Sequence, residues 1–67
     1  MGEKLTATQA AELLGYHTKH LHRLLRSGDV RGERFGPVWA VDRDEVEKVL
    51  ALRAQHGRFW ATFRDAE

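Results

Sequence analysis

Two short helical patterns stand three residues apart, and that spacing constrains the fold more than any other feature of this 67-residue chain. Thr6-Ala7-Thr8-Gln9 has the form of a capping box. The Thr6 hydroxyl can accept from the Gln9 N–H, while the Gln9 side chain reaches back to the Thr6 N–H. The run AAELL follows, and Gly15 is the residue type that closes a helix in the left-handed conformation. The spacing predicts a helix over 7–14 that presents Ala10, Leu13 and Leu14 to a core. Gly15-Tyr16-His17 is left for a tight turn. A second helix is expected from about Thr18 to Ser27, ended by Gly28, with Leu21, Leu24 and Leu25 at i, i+3, i+4 as its buried stripe.

At about 100° per residue, Lys19, His22, Arg23 and Arg26 fall opposite that stripe, with His20 on a flank. Helix, glycine-containing turn, and a second helix with a basic outer face make a helix-turn-helix arrangement, whose second helix suits the major groove of DNA. Lys19, Arg23 and Arg26 would meet phosphates or guanine edges, and His22 a base or phosphate. Thr18 sits at a helix start, where backbone N–H groups hold phosphate. The plainer alternative is an ordinary solvated helix face.

Residues 29–41 change character. Val30, Phe35, Val38, Trp39 and Val41 are strand formers around a Gly36-Pro37 turn, which predicts a hairpin of roughly 30–35 and 38–41. Period-two alternation puts Trp39 and Val41 on one face, with Phe35 expected beside them. Packing against the core is the expected use of Trp39 and Phe35, base stacking the alternative. Arg31 and Arg34 add charge to this hairpin. Asp42 to Glu45 reads as a second capping box, and the acidic first turn of Asp44 and Glu45 suits a helix N-terminus. Val46, Val49, Leu50 and the stem of Arg53 form the inward stripe of a third helix reaching about Gln55. The expected class is α+β, a small winged helix-turn-helix of order α-α-β-β-α, with a possible extra helical turn at the C-terminal end. Leu13, Leu14, Leu21, Leu24, Leu25, Phe35, Trp39, Val41, Val46, Val49 and Leu50 are the expected core. Residues 1–56 form the domain and 57–67 a C-terminal aromatic tail, in which Phe59, Trp60 and Phe63 either pack on the core or meet a protein partner. Arg58 and Arg64 are a minor candidate DNA contact.

The charge is unevenly spread. Residues 15–34 carry a local +3 and residues 42–50 a local −2, a positioned field rather than a uniformly basic tail. The length allows one domain. No cysteine is present, which excludes a cysteine-type zinc finger and, for so small a domain, favours a reducing compartment such as the cytoplasm. No apolar run is long enough to span a membrane, and the start MGEKLTATQ has no signal-peptide core. Gly2 and Thr6 superficially fit an acylation pattern, but Thr6 has the better use as a cap. His17 and His20 at i, i+3 could share a metal, yet no carboxylate or cysteine completes a closed set, so no metal and no cofactor is expected. With no phosphate loop and no depth for a pocket, no enzyme is expected either.

Residues 5–50, LTATQAAELLGYHTKHLHRLLRSGDVRGERFGPVWAVDRDEVEKVL, resemble the MerR-like winged helix-turn-helix of the excisionase family. The shared skeleton is Leu-Thr, then Ala-Ala-Glu-Leu-Leu-Gly, then Leu-X-X-Leu-Leu-Arg-X-Gly, a hairpin with an inward Trp, and an acidic-capped helix. The resemblance implies binding of double-stranded DNA, with the second helix in the major groove and the wing over the adjacent backbone or minor groove. It also implies cooperative self-association on DNA and, for excisionases, an integrase or other protein partner. Two positions depart from the pattern: His17 stands where Ser or Asp usually caps the second helix, and Val38 and Ala40 stand where the wing often carries basic residues. The expected function is non-catalytic, sequence-preferring duplex binding, most simply as an excisionase-type architectural factor. A small transcription regulator of the same fold is an alternative, and a protein-interaction module using the C-terminal aromatics is a rival from another class.

Overall fold

A computed structural model describes residues 3–64. Gly2, of the acylation pattern, and the last three residues of the tail lie outside the described residues. Strand β1 (Lys4–Thr6) leads directly into helix α1 (Ala7–Leu14). Helix α2 (Thr18–Ser27), strands β2 (Glu33–Phe35) and β3 (Val38–Asp42), helix α3 (Arg43–His56) and a 3-10 segment (Gly57–Phe63) follow. This is the expected α+β winged helix-turn-helix, with one strand more than the order α-α-β-β-α allows. β1 pairs antiparallel with β3 on the side away from β2, giving the sheet order β1-β3-β2. A three-residue run ahead of a strong cap gives little local sign of a strand; its partner lies some 36 residues downstream, Leu5 opposite Val41.

The helix boundaries follow from their ends. Thr6 and Gln9 form the reciprocal capping box, the backbone N–H of each donating to the other's side chain at 3.0 and 3.1 Å. At the other end Gly15 takes a left-handed conformation (φ 74°). Its N–H and that of Tyr16 then satisfy the carbonyls of Glu12 and Ala11, which locks the turn between the helices. The second expected box does not form. Asp42 occupies the N-cap position of α3 with no side-chain cap bond. Its carboxylate instead pairs with Lys4 at 3.0 Å, and Glu45 is drawn to Arg31 and Arg64.

The core is formed by Leu5, Ala7, Ala10, Ala11, Leu14, Leu21, Leu25, Val30, Val41, Val46, Val49 and Trp60, with Leu24 and Trp39 packed partly buried against it. Three expected core residues are not in it: Leu13, Leu50 and Phe35 are exposed. In α1 the inward stripe is Ala7, Ala10, Ala11 and Leu14, and Leu13 falls about 100° away from its centre. In α3 the stripe turns toward Leu52 and His56, because the 3-10 segment packs along that side, and Leu50 is left outside. Phe35 is excluded by register. It lies opposite Val38, while Arg34 lies opposite Trp39, so Phe35 and Trp39 are on different faces of the hairpin.

The tail divides. Trp60 is only 3% exposed, and its indole N–H donates to the Tyr16 hydroxyl at 3.1 Å. Arg64, also buried, is therefore withdrawn from any contact with DNA. It pairs with Glu45 at 2.7 Å and donates to the Asp29 carbonyl at 3.2 Å, leaving its Nε without a partner. Phe59 and Phe63 remain exposed, the latter stacked on His56 at 4.1 Å. No described helix is long and apolar enough to cross a membrane.

Candidate nucleic-acid interface

α2 is held as a presented element. Leu21 and Leu25 are buried under it, and Gly28 ends it in a left-handed conformation (φ 88°), its N–H bonded to the Leu24 and Leu25 carbonyls. From α3, Arg53 donates to the last carbonyl of α1, at Leu14, and lays its guanidinium over the Tyr16 ring at 4.6 Å. His20 packs on the same ring from α2, at 4.6 Å between centroids. The turn is thus clamped by a cation and two aromatic rings. The helix is about 15 Å long and stands clear of the body along its outer face.

His17, Thr18, Lys19, His20, Arg23, Arg26 and Ser27 line one open surface along that outer face. Four expected DNA-binding residues, Thr18, Lys19, Arg23 and Arg26, are brought together there. Arg23 sits almost opposite the Leu21–Leu25 stripe, with Lys19 and Arg26 about 40–60° round on one side of it, one a turn before and the other a turn after it along the axis. His22 is not among them: it is half-buried at the edge of α2 nearer the core, whereas His20 is exposed. The 100° rule was applied about a stripe centred on Leu21, Leu24 and Leu25. Because Leu24 is only partly buried, the true stripe is turned toward Leu25, and the two histidines exchange roles. His17 holds the N-cap position with an extended backbone (φ −67°, ψ 146°) but no side-chain cap bond, so the first N–H groups of α2 have no side-chain cap. Among the described residues no group of three or more His, Cys, Asp or Glu is arranged to hold a metal.

The wing is fixed to α2 by a residue that sequence reasoning passed over. A Cβ on Gly32 would lie 2.8 Å from Leu25 Cδ2 and 2.9 Å from the Ala40 carbonyl oxygen, so only glycine lets the hairpin close on the helix. An unexplained glycine immediately before β2, inside the span expected for the hairpin, was the available signal. Arg31 stands exposed at the base of the wing, its backbone N–H donating to Glu45 at 2.9 Å. Arg34 is exposed near the tip. Its Nε donates to the Gly36 carbonyl at 3.0 Å, and its guanidinium lies 5.7 Å from the centre of the Trp39 ring. Gly36 has φ 61°, and Pro37 completes a two-residue loop in which only the first position is left-handed.

Charge pairing separates this face from the rest. Lys4 bonds Glu33 at 2.7 Å and Asp42 at 3.0 Å, and Arg43 meets Glu3 at 3.5 Å and Glu47 at 3.6 Å. The ammonium of Lys4 is held above its usual pKa, first by the hydrogen bond to Glu33 and then by that to Asp42. No salt bridge among the described residues joins Lys19, Arg23 or Arg26 to an acid.

The family model described as a helix-turn-helix domain matches residues 5–54, from β1 into the last turn of α3. The tail residues Trp60 and Arg64 lie beyond the match. No curated protein and no solved structure shows significant similarity to the chain.

Proposed function

Because the chain belongs to the helix-turn-helix domain family, we propose that it binds double-stranded DNA without catalysis, laying α2 in the major groove and the wing on the flank. One observation carries this reading. α2 places Lys19, Arg23 and Arg26 on a single exposed face, and its ten residues include no acid. Neighbouring like charges at i, i+3 and i, i+4 disfavour a helix by a few tenths of a kcal/mol each, a cost that an external polyanion along this face would relieve. Arg23, at the centre, is assigned to a base edge or the deepest phosphate, with Lys19 and Arg26 to the groove walls. Thr18 and the uncapped N–H groups after His17 are assigned to a phosphate. His20 joins the surface, while His22 is retained only as an edge contact. Arg31 and Arg34 serve the wing.

Of the finer roles, an excisionase-type architectural factor suits the molecule better than a regulator. α3, the longest described helix, has 14 residues and buries Val46 and Val49, so no described helix is free for a long dimerising coiled coil. Such a factor should bind direct repeats as a monomer, a regulator symmetric half-sites as a dimer. A second reading, a protein partner or another copy held through the tail, rests on exposed Phe59 and Phe63; with Trp60 buried, these two rings would carry it.

The test is fluorescence anisotropy on duplexes tiling the DNA around the protein's own gene, at two salt concentrations. Binding to one tile that tightens as salt falls supports the proposal, and the spacing of sites separates array from dimer. Nonspecific binding is expected at about 10⁻⁴–10⁻⁶ M at physiological salt. Absence of binding to every tile at low salt, together with capture by a protein partner lost in Phe59→Ala, would favour the interaction module.

A further inference from the structure

The two residues at the tip of the wing are apolar, large and exposed: Phe35 is 60% and Val38 51% accessible. They lie directly opposite one another across the hairpin, beside the Gly36-Pro37 loop, on the face away from Trp39 and the core. Nothing described covers them. We infer that this pair is a wedge that enters the minor groove of the duplex held by α2, making the wing contact chiefly apolar rather than ionic. The inference rests on the DNA-binding reading above.

Three observations favour that occupant. First, the tip is small. A phenylalanine side chain offers about 200 Å², and with one valine it falls far short of the roughly 800 Å² a side of a stable protein interface. A wedge between base steps needs only one or two such side chains, with proline a common companion. Second, the charge fits. Arg34 stands on the other face of the hairpin, that of Trp39, but its bond to Gly36 keeps its guanidinium near the tip, and arginine is drawn to the negative potential of a narrow minor groove. The carboxylates nearest on the outer face of the sheet, Glu33 and Asp42, are both bonded to Lys4. Third, the tip is positioned. Gly32 closes the base of the hairpin against Leu25 of α2, so groove helix and wedge are parts of one packed unit.

The experiment uses a duplex enriched by the wild-type protein from a random-sequence pool, with 2-aminopurine placed in turn at each step flanking the α2 footprint. The wild type should brighten one flanking position, where the step is unstacked. Phe35→Ala/Val38→Ala should abolish that signal and lower affinity on the order of tenfold, as loss of a ring–base contact does. The slope of log affinity on log salt should stay unchanged, since no phosphate contact is removed. Both residues lie outside the core, so circular dichroism should match the wild type, and Phe35→Leu should restore much of the affinity. Wild-type affinity and brightening in the double variant would overturn the wedge. So would a reduced salt slope, or a wild-type dimer in sedimentation that the double variant loses with no brightening in either protein. In those cases the DNA reading stands. If the pool yields no enriched duplex, the DNA reading fails and the wedge with it.

Discussion

α2 and the side of the molecule built from β1 and α3 carry the same kinds of charged residue and use them in opposite ways. On the β1–α3 side, cations meet acids: Lys4 with Glu33 and Asp42, Arg43 with Glu3 and Glu47, and Arg64, buried, with Glu45. On α2, Lys19, Arg23 and Arg26 meet no acid among the described residues. The first arrangement holds a small fold together, each exposed pair contributing little and the buried one more. The second gives the isolated molecule nothing and slightly destabilises its helix. Charges that serve no internal purpose, on a helix clamped by Arg53 and Tyr16, are best understood as prepared for an external polyanion. Substitutions should therefore sort by region: stability changes on one side, binding changes on the other.

The largest effect is expected on the paired side. Arg64→Ala strips the largely buried Glu45 carboxylate of its Arg64 guanidinium partner and releases the Asp29 carbonyl. Breaking one half of a buried pair costs roughly 3–5 kcal/mol, which urea unfolding would read directly. Affinity for DNA should be unchanged under conditions where the variant remains folded. A loss of stability below about 1 kcal/mol would put Arg64 with the weak surface pairs.

Arg23→Ala is the converse. Affinity should fall by about 1–3 kcal/mol if the guanidinium reads a base. If it meets only phosphate, the salt slope should drop by about one. Stability should hold or rise by a few tenths of a kcal/mol, since two like-charge contacts are relieved. A variant that unfolds more readily and binds DNA normally would reverse the contrast between the two regions.

Gly32→Ala tests the joint between them. The added methyl meets a side-chain methyl and a backbone oxygen inside normal contact, and overpacking of this kind costs about 1–3 kcal/mol. Because the strain falls between wing and α2, binding should weaken alongside stability, unlike in the two variants above. Equal affinity of Gly32→Ala and wild type would mean that the wing is not held to α2 by this contact.

How legible all this was depends on range. The Thr6–Gln9 box and the two glycine stops are set within a few residues, and the sequence reading of α1 and α2 needed nothing more. β1 and the face of Phe35 are set by register with β3, which no local period contains. Alternation correctly put Trp39 with Val41 on one strand but could not carry across the loop. Leu13 and Leu50 are expected inside because they stand at i+3 from Ala10 and i+4 from Val46; α1 instead centres its stripe on Ala7, Ala10, Ala11 and Leu14, and the tail captures the far side of α3. The cationic face of α2 was legible because it follows from one period on one helix. The two histidines exchanged places because the buried stripe was turned by part of a residue's rotation. The ion pair of Arg64 with Glu45 left no local sign, since its halves stand in segments that only the tertiary fold brings together.

The smallest effect is at Lys4, and its sign can be worked out. The folded state raises the ammonium above its ordinary pKa of 10.5, through Glu33 first and Asp42 second, so folding favours the protonated form. The stabilising contribution is complete below that ordinary value and is lost as pH rises through the higher folded value. Thermal unfolding of wild type and Lys4→Met should differ slightly near neutrality and converge once pH has risen through the raised folded value, where the wild type too becomes uncharged at this position. Lys4 is exposed, so salt should shrink the difference at any pH. A gap that widens with alkalinity, or that resists salt, would mean that Lys4 supports β1 through the packing of its stem, and that the paired side owes less to its charges than the comparison with α2 requires.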